Sequence, residues 1–223
     1  MGITRTMRRM IKLAIHEGII TRDPFDGYTP ERPKAEQKYL TRAELDKIMT
    51  TPLDHPNRYL TRDMFLFSCF TGLAFRDMCN LTQKNLVRAD DGVLWITTNR
   101  QKTGTPCHIP LLELPLQIIE KYKGLTKDDK LLLMLSCGRL NINLKKIANL
   151  CGIDKRLIFH MGRHTYASEI TLSQGVPIES VSRMLGHRDL RSTQIYAKIT
   201  NDKINEDMKA LEIRMENKYQ LAK

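Results

Sequence analysis

No stretch of this chain comes near the roughly 18 consecutive apolar residues that a membrane span needs. Its longest apolar run, LLLML at 131–135, fits a buried segment. Cysteine is sparse and patternless: Cys69, Cys79, Cys107, Cys137 and Cys151 are odd in number, scattered and never spaced as CxxC. That argues against a disulfide frame and a cysteine zinc site, and for a reducing compartment. Aromatic residues make up only 6%, and with no lipidation motif an anionic membrane surface is a poor partner. The basic, amphipathic start MGITRTMRRMIKLAIHEG lacks a small-residue cleavage site and is not read as a secretion signal. Internal repeats and low-complexity tracts are missing as well.

What the chain does have is positive charge. Its 223 residues carry a formal net charge of +11, with a pI near 9.5, and 41% of them are hydrophobic. That supports one generous domain, or one domain plus a fragment of another. A polyanionic partner follows most directly, because lysine and arginine contacts to phosphates release counterions and bind without regard to sequence. Simple solubility is the bland alternative.

Residues 4–18 predict one amphipathic helix, with Met7, Met10, Ile11, Leu13 and Ala14 set against Arg5, Arg8, Arg9 and Lys12. The stretch 21–39, rich in proline, glycine and charge, reads as a linker. A domain then starts at Thr41, where TRAE forms a capping box between Thr41 and Glu44. Tyr59 to Phe70 reads as a buried helix ending at Thr71-Gly72. Between 85 and 111 short β-branched runs, broken at Asp91-Gly92 and near Thr103-Gly104, predict a meander of about three strands. Helices are predicted again near 114–123, 139–150, 161–173, 178–185 and 189–199, and a charged segment, 201–221, is suited to a last helix. The predicted fold is mainly α with a small antiparallel three-stranded sheet.

Within this frame HMGRHTYAS sets His160, Arg163 and His164 at i, i+3 and i+4, on one side of a helix. Three readings are open. A metal site fits the histidine spacing, but a zinc hydrolase would want glutamate beside the first histidine and Met161 stands there. A structural knot fits His164 well. Arg163 is harder to absorb, because a cation on an apolar helix face needs an anion, and Glu169 is six residues on and turned away. The remaining reading is a phosphate grip. Arg76 in TGLAFRDMCNLT, Lys102 in RQKTG, His187 in LGH and Tyr196 in STQIYAKI sit in comparable places. Each also has a bland reading as an ion pair, a solvated turn, a helix end or a core tyrosine.

Taken in order, these motifs resemble the catalytic domain of the tyrosine recombinases, the phage-integrase family. The likeness runs through TGL-x-x-R (Arg76), QKTG (Lys102), H-x-x-R-H-T (His160 and Arg163), LGH (His187) and Tyr196, nine residues after that histidine. It covers about 41–200, and the wording LKKIANLCGI…FHMGRHTYAS looks most like integrases of conjugative transposons and related mobile elements.

The resemblance implies that residues 1–20 are the last helix of a truncated core-binding domain and 21–40 an interdomain linker. It further implies a catalytic domain at 41–200 and a segment at 201–223 suited to packing on a neighbouring protomer. The chain is expected to be a catalytic fragment. Implied, too, is site-specific recombination of double-stranded DNA through a 3′-phosphotyrosyl intermediate, with no metal, ATP or other cofactor and no small-molecule substrate. In that scheme Tyr196 attacks, Arg76 and Arg163 clamp the non-bridging oxygens and Lys102 protonates the leaving oxygen. His187 donates to the phosphate, His160 assists, and His164 falls outside the reactive set. Self-association on DNA as a synaptic tetramer and a cytoplasmic, nucleoid-associated location are expected. A type IB topoisomerase or an inactive DNA-binding module are the alternatives.

Overall fold

Thr41 opens the larger folded unit in the way its neighbours dictate. Its hydroxyl accepts from the Glu44 amide at 3.3 Å while the Glu44 carboxylate accepts from the Thr41 amide at 2.8 Å. The structure, a computed structural model, describes residues 2–28, 39–126, 129–197 and 201–215. The chain divides into a unit of residues 1–36 and a unit of residues 37–223.

In the first unit, helix α1 (Gly2–His16) is followed by a segment that folds back on it. Arg8 donates to the Tyr28 carbonyl at 2.5 Å, and its guanidinium lies 5.9 Å from the Phe25 ring centre. Residues 21–28, which composition suggests as linker, are thus tied to α1. Of the rest of the expected linker, 29–38 lie outside the described residues, while Leu40 at its end is fully buried in the core of the second unit.

The second unit runs α2 (Arg42–Thr50), α3 (Pro56–Thr71), α4 (Phe75–Asn80), β1 (Leu86–Arg88), β2 (Leu94–Asn99) and β3 (Pro106–Pro110). It continues with α5 (Glu113–Tyr122), α6 (Cys137–Leu150), α7 (Met161–Thr165), α8 (Ile178–Leu185), α9 (Arg191–Gln194) and α10 (Asn201–Met215). The strands form one antiparallel sheet in the order β1-β2-β3, with Ile96 opposite Leu86 on one side and Ile109 on the other. α3 is the central rod, packing on α5, α6 and α7. Its Met64, Phe65 and Phe67 are fully buried with Ile48, Ile96, Ile109, Leu140, Leu144 and Ile147 in one core joining helices to sheet. Burial of this kind is worth roughly 1.5–3 kcal/mol per large apolar side chain.

Several elements differ from the sequence reading. α3 begins earlier, because Pro56 suits a first helical position and His55 Nδ1 accepts from the Asn57 amide at 3.1 Å. α4, only six residues long, is too short to show a periodicity. The helix expected over 161–173 is α7 followed by a wider π-type turn, Tyr166–Thr171, and a tight turn, Leu172–Gln174. The Thr171 hydroxyl donates to the carbonyls of Tyr166 and Ala167, both at 2.9 Å, and so competes with the regular helix ladder.

Candidate active site

The site is built on the close approach of α7 to α3. A Cβ at Gly162 would come within 2.8 Å of the Ser68 hydroxyl, so glycine lets the two helices pack flush. Thr165 Oγ1 accepts from the Leu40 amide at 3.0 Å and donates to the Met161 carbonyl at 2.9 Å, fixing the other end of α7. This drives Arg163 inward until it is only 2% exposed. Its Nη1 donates to the Gly72 carbonyl at 2.7 Å and its Nη2 to the Leu185 carbonyl at 2.6 Å. Gly72 closes α3 in the left-handed conformation (φ 70°), and Leu185 closes α8. One guanidinium on α7 therefore joins the ends of α3 and α8. Burial lowers its pKa to about 10, which leaves it charged at neutral pH.

Nη2 of Arg163 also lies 3.0 Å from Nε2 of His187. Arginine can only donate, so Nε2 accepts and the proton sits on Nδ1. Nδ1 in turn faces the Thr193 hydroxyl at 2.8 Å. Burial first, then the charges of Arg163 and Arg100, push the His187 pKa down to about 4. The ring is a neutral acceptor here, which differs from the phosphate donor that the resemblance implies.

Tyr196 follows α9, its amide donating to the Thr193 carbonyl at 2.9 Å. α9 spans fewer residues than the expected helix at 189–199, of which 198 and 199 lie outside the described residues. The Tyr196 ring is stacked on His187 at 6.3 Å, nearly parallel at 14°, and meets His164 at 5.2 Å. His164 in turn meets His160 at 4.8 Å. Burial raises the phenol pKa, while the charges of Arg163 and Arg100 and a hydrogen bond with Arg163 oppose it. His160 reaches solvent at its edge, yet desolvation and the charges of Arg163, Arg100 and Lys102 hold its pKa below the usual value.

Beside these rings opens a cleft of about 860 Å³ whose walls carry Arg76, Arg100, Lys102, Arg156 and His160. Lys102 is exposed in the turn between β2 and β3, and Arg188, next to His187, steadies that turn by donating to the Thr103 carbonyl at 2.5 Å. Arg163, His187 and Tyr196 thus meet directly, with His160 and Lys102 alongside. Arg76 is exposed on the cleft wall. The cation whose charge reaches Arg163, His187, His160 and Tyr196 is Arg100, which sequence reasoning passed over. Its only local signal is its place in NRQKTG, two positions before the turn lysine; the Asp77 carboxylate that pairs with it is distant in sequence. Among the described residues no group of three or more His, Cys, Asp or Glu side chains is arranged to hold a metal.

The fold is that of a tyrosine recombinase catalytic domain. The family model described as phage integrase family matches residues 38–203, and the chain belongs to that family. It is 30% identical over 194 residues to tyrosine recombinase XerA of Thermococcus onnurineus, covering 79% of this chain and 66% of that protein. Tyrosine recombinase XerC of Oceanobacillus iheyensis is 27% identical over 222 residues, covering 90% and 70%. The chain therefore spans about two thirds of the length of these relatives. Among solved structures, a Tn1549 transposon integrase in complex with a circular intermediate DNA superposes with a TM-score of 0.70 at 18% identity, covering 94% of this chain and 78% of the other. A crystal structure of XerA recombinase superposes at 0.60 and 19% identity, covering 97% and 78%.

Proposed function

We propose that this chain is the catalytic part of a site-specific DNA recombinase that cuts and rejoins strands through a phosphotyrosine. The observation that carries it is the setting of Tyr196, with its phenol in the field of two buried-side arginines and its ring against His187, beside a cleft lined by cations. Tyr196 Oη attacks the scissile phosphorus and the P–O5′ bond breaks, leaving a 3′-phosphotyrosyl enzyme and a 5′-hydroxyl. A phenol is a weak nucleophile near its ordinary pKa of about 10, so the cations that favour the phenolate are part of the mechanism. Arg163 stabilises the non-bridging oxygens as charge grows on them. Lys102 protonates the leaving O5′. His160 arranges the phosphate and receives the tyrosine proton, and His187 positions the Arg163 guanidinium. Arg76, exposed on the wall of the same cleft, meets the DNA backbone.

Because the phosphotyrosyl bond keeps the energy of the broken phosphodiester, a second 5′-hydroxyl reverses the step without ATP or metal. Double-stranded DNA is the substrate, and exchange between two duplexes requires several protomers, a synaptic tetramer in the simplest case. The segment at 201–223, of which 201–215 form α10, is suited to packing on a neighbouring protomer. Action on chromosomal DNA places the work in the cytoplasm, on the nucleoid.

A nicked duplex that loses its short 5′-hydroxyl strand after cleavage tests the reading. Sequence-selective trapping, followed by joining to a second duplex, is expected. Indiscriminate trapping with relaxation of supercoils would instead indicate a topoisomerase, and binding with no covalent product an inactive module.

A further inference from the structure

We infer that Arg100, rather than the exposed Arg76, is the second cation that clamps the scissile phosphate, and that Asp77 is the positioning residue that aims it. The inference rests on the proposal that Tyr196 attacks a phosphate. Four observations on different atoms support it.

Arg163 alone has few donors left. Two carbonyls, His187 Nε2 and the Tyr196 phenol already draw on the five N–H groups of its guanidinium. A phosphate whose charge rises in the transition state needs more donors than those that remain.

Arg100 is placed to supply them. At the root of the β2–β3 turn its amide donates to the Thr105 carbonyl at 2.8 Å and its carbonyl accepts from the Gly104 amide at 2.7 Å. Its stem then crosses Gly186, where a Cβ would come within 2.5 Å of Arg100 Cγ and still nearer Cys107 Sγ. Gly186 lies between Leu185, whose carbonyl holds Arg163, and His187, whose ring holds it too. The two guanidiniums are therefore served by one short stretch of chain.

Asp77 fixes the aim. It is buried, it pairs with Arg100 Nη1, and its other oxygen accepts from the Gln101 amide at 3.0 Å. Among the described residues no other hydrogen bond uses the Arg100 guanidinium, so Nε and Nη2 keep their donors. Arg76 and Asp77 are neighbours on α4, about 100° apart around its axis, which sends Asp77 inward and Arg76 outward.

The charges also leave a place for an anion. Arg163 forms no ion pair with a carboxylate among the described residues, and Asp77 offsets only one of the two arginines. A half-buried net positive charge is costly unless an anion completes it. A phosphodiester does so, and its transition state, with more charge on the non-bridging oxygens, does so better.

The test uses the 223-residue chain and a pool of randomised duplexes, each with a single nick, made in two forms: an ordinary phosphodiester beside the nick, and a methylphosphonate in which one charged oxygen is replaced by methyl. Arg100→Ala is expected to slow covalent complex formation by about 100-fold or more on the phosphodiester, the size of effect seen when one transition-state donor is removed. On the methylphosphonate, which has less charge to neutralise, the deficit should shrink to under about tenfold. Arg76→Ala should weaken binding to both forms alike. Because Arg100→Ala strands a buried carboxylate, the double variant Arg100→Ala/Asp77→Asn guards against misfolding. It should melt like the wild type and show the same substrate-dependent deficit. An equal deficit on both substrates would mean a structural role and overturn the inference, as would a charge-dependent deficit in Arg76→Ala instead. If the wild-type chain forms no adduct with either pool, the parent proposal falls and takes this one with it.

Discussion

Arg163 and His187 are joined by a hydrogen bond from Nη2 to Nε2 at 3.0 Å, across 24 positions of chain. The contact holds only while His187 is neutral, because a protonated imidazole has no lone pair to accept with. In the folded chain the His187 pKa is lowered from 6.5 to about 4, so folding favours the neutral ring. The corresponding stability is present above pH 6.5 and is lost as pH falls toward 4, since the unfolded chain takes up the proton first. Thermal melts should therefore shift downward between those pH values. His187→Gln, which keeps an acceptor and cannot titrate, should show a shallower slope. Some slope will persist, because His160 is shifted in the same direction.

Gly72 does two tasks at one position. Its φ of 70° suits glycine, and an added Cβ would come within 2.5 Å of Tyr166 Cδ1 and 2.8 Å of Leu185 Cδ2. Gly72→Ala is expected to cost about 2 kcal/mol or more, by combining overpacking with backbone strain. Because the Gly72 carbonyl anchors Arg163, covalent complex formation by the fraction that remains folded should fall as well. Urea unfolding and a cleavage assay on the same preparation separate the two effects.

Lys102 is assigned to protonate the leaving oxygen, which yields a chemical prediction. Lys102→Ala should slow cleavage of an ordinary substrate by roughly 10²–10⁴-fold, the usual contribution of a general acid. A substrate with sulfur in place of the bridging 5′ oxygen leaves as a thiolate and needs no proton. With that substrate the variant should approach the wild-type rate. A deficit that persists would move Lys102 from proton transfer to DNA binding.

Much of this arrangement is legible in the sequence. The Thr41–Glu44 capping box, the glycine turns of the three strands and the spacing from His187 to Tyr196 are local features, and local features survive reading from sequence. Arg100 was not legible in the same way. Whether Arg76 or Arg100 points inward is decided by Asp77, which is 23 positions from Arg100 and binds it across the fold. Spacing within a motif carries no information about such a partner. The wider turn at Tyr166–Thr171 was equally hidden, because it depends on where Thr171 finds acceptors rather than on periodicity. His164, which reads as core, turns out to lie between His160 and Tyr196.

A polar knot away from the site provides a control. Asp63, only 4% exposed, accepts from Tyr122 at 2.8 Å, from Arg62 at 3.0 Å and from Lys121 at 2.5 Å. This ties α3 to α5. Asp63→Ala leaves the Tyr122 hydroxyl without its acceptor and Arg62 without its anion, and should destabilise the fold by about 3 kcal/mol. The folded fraction should still form the covalent complex at the wild-type rate, as measured below the lowered melting temperature.

The identity of the nucleophile is the most direct test of the proposed chemistry. Covalent complexes trapped on nicked DNA should be digested with protease and nuclease and the modified peptide sequenced by mass spectrometry. A nucleotide joined through its 3′-phosphate to Tyr196 is expected, with no adduct in Tyr196→Phe although that variant still binds DNA. An adduct on any other residue, or one that survives Tyr196→Phe, would contradict that chemistry.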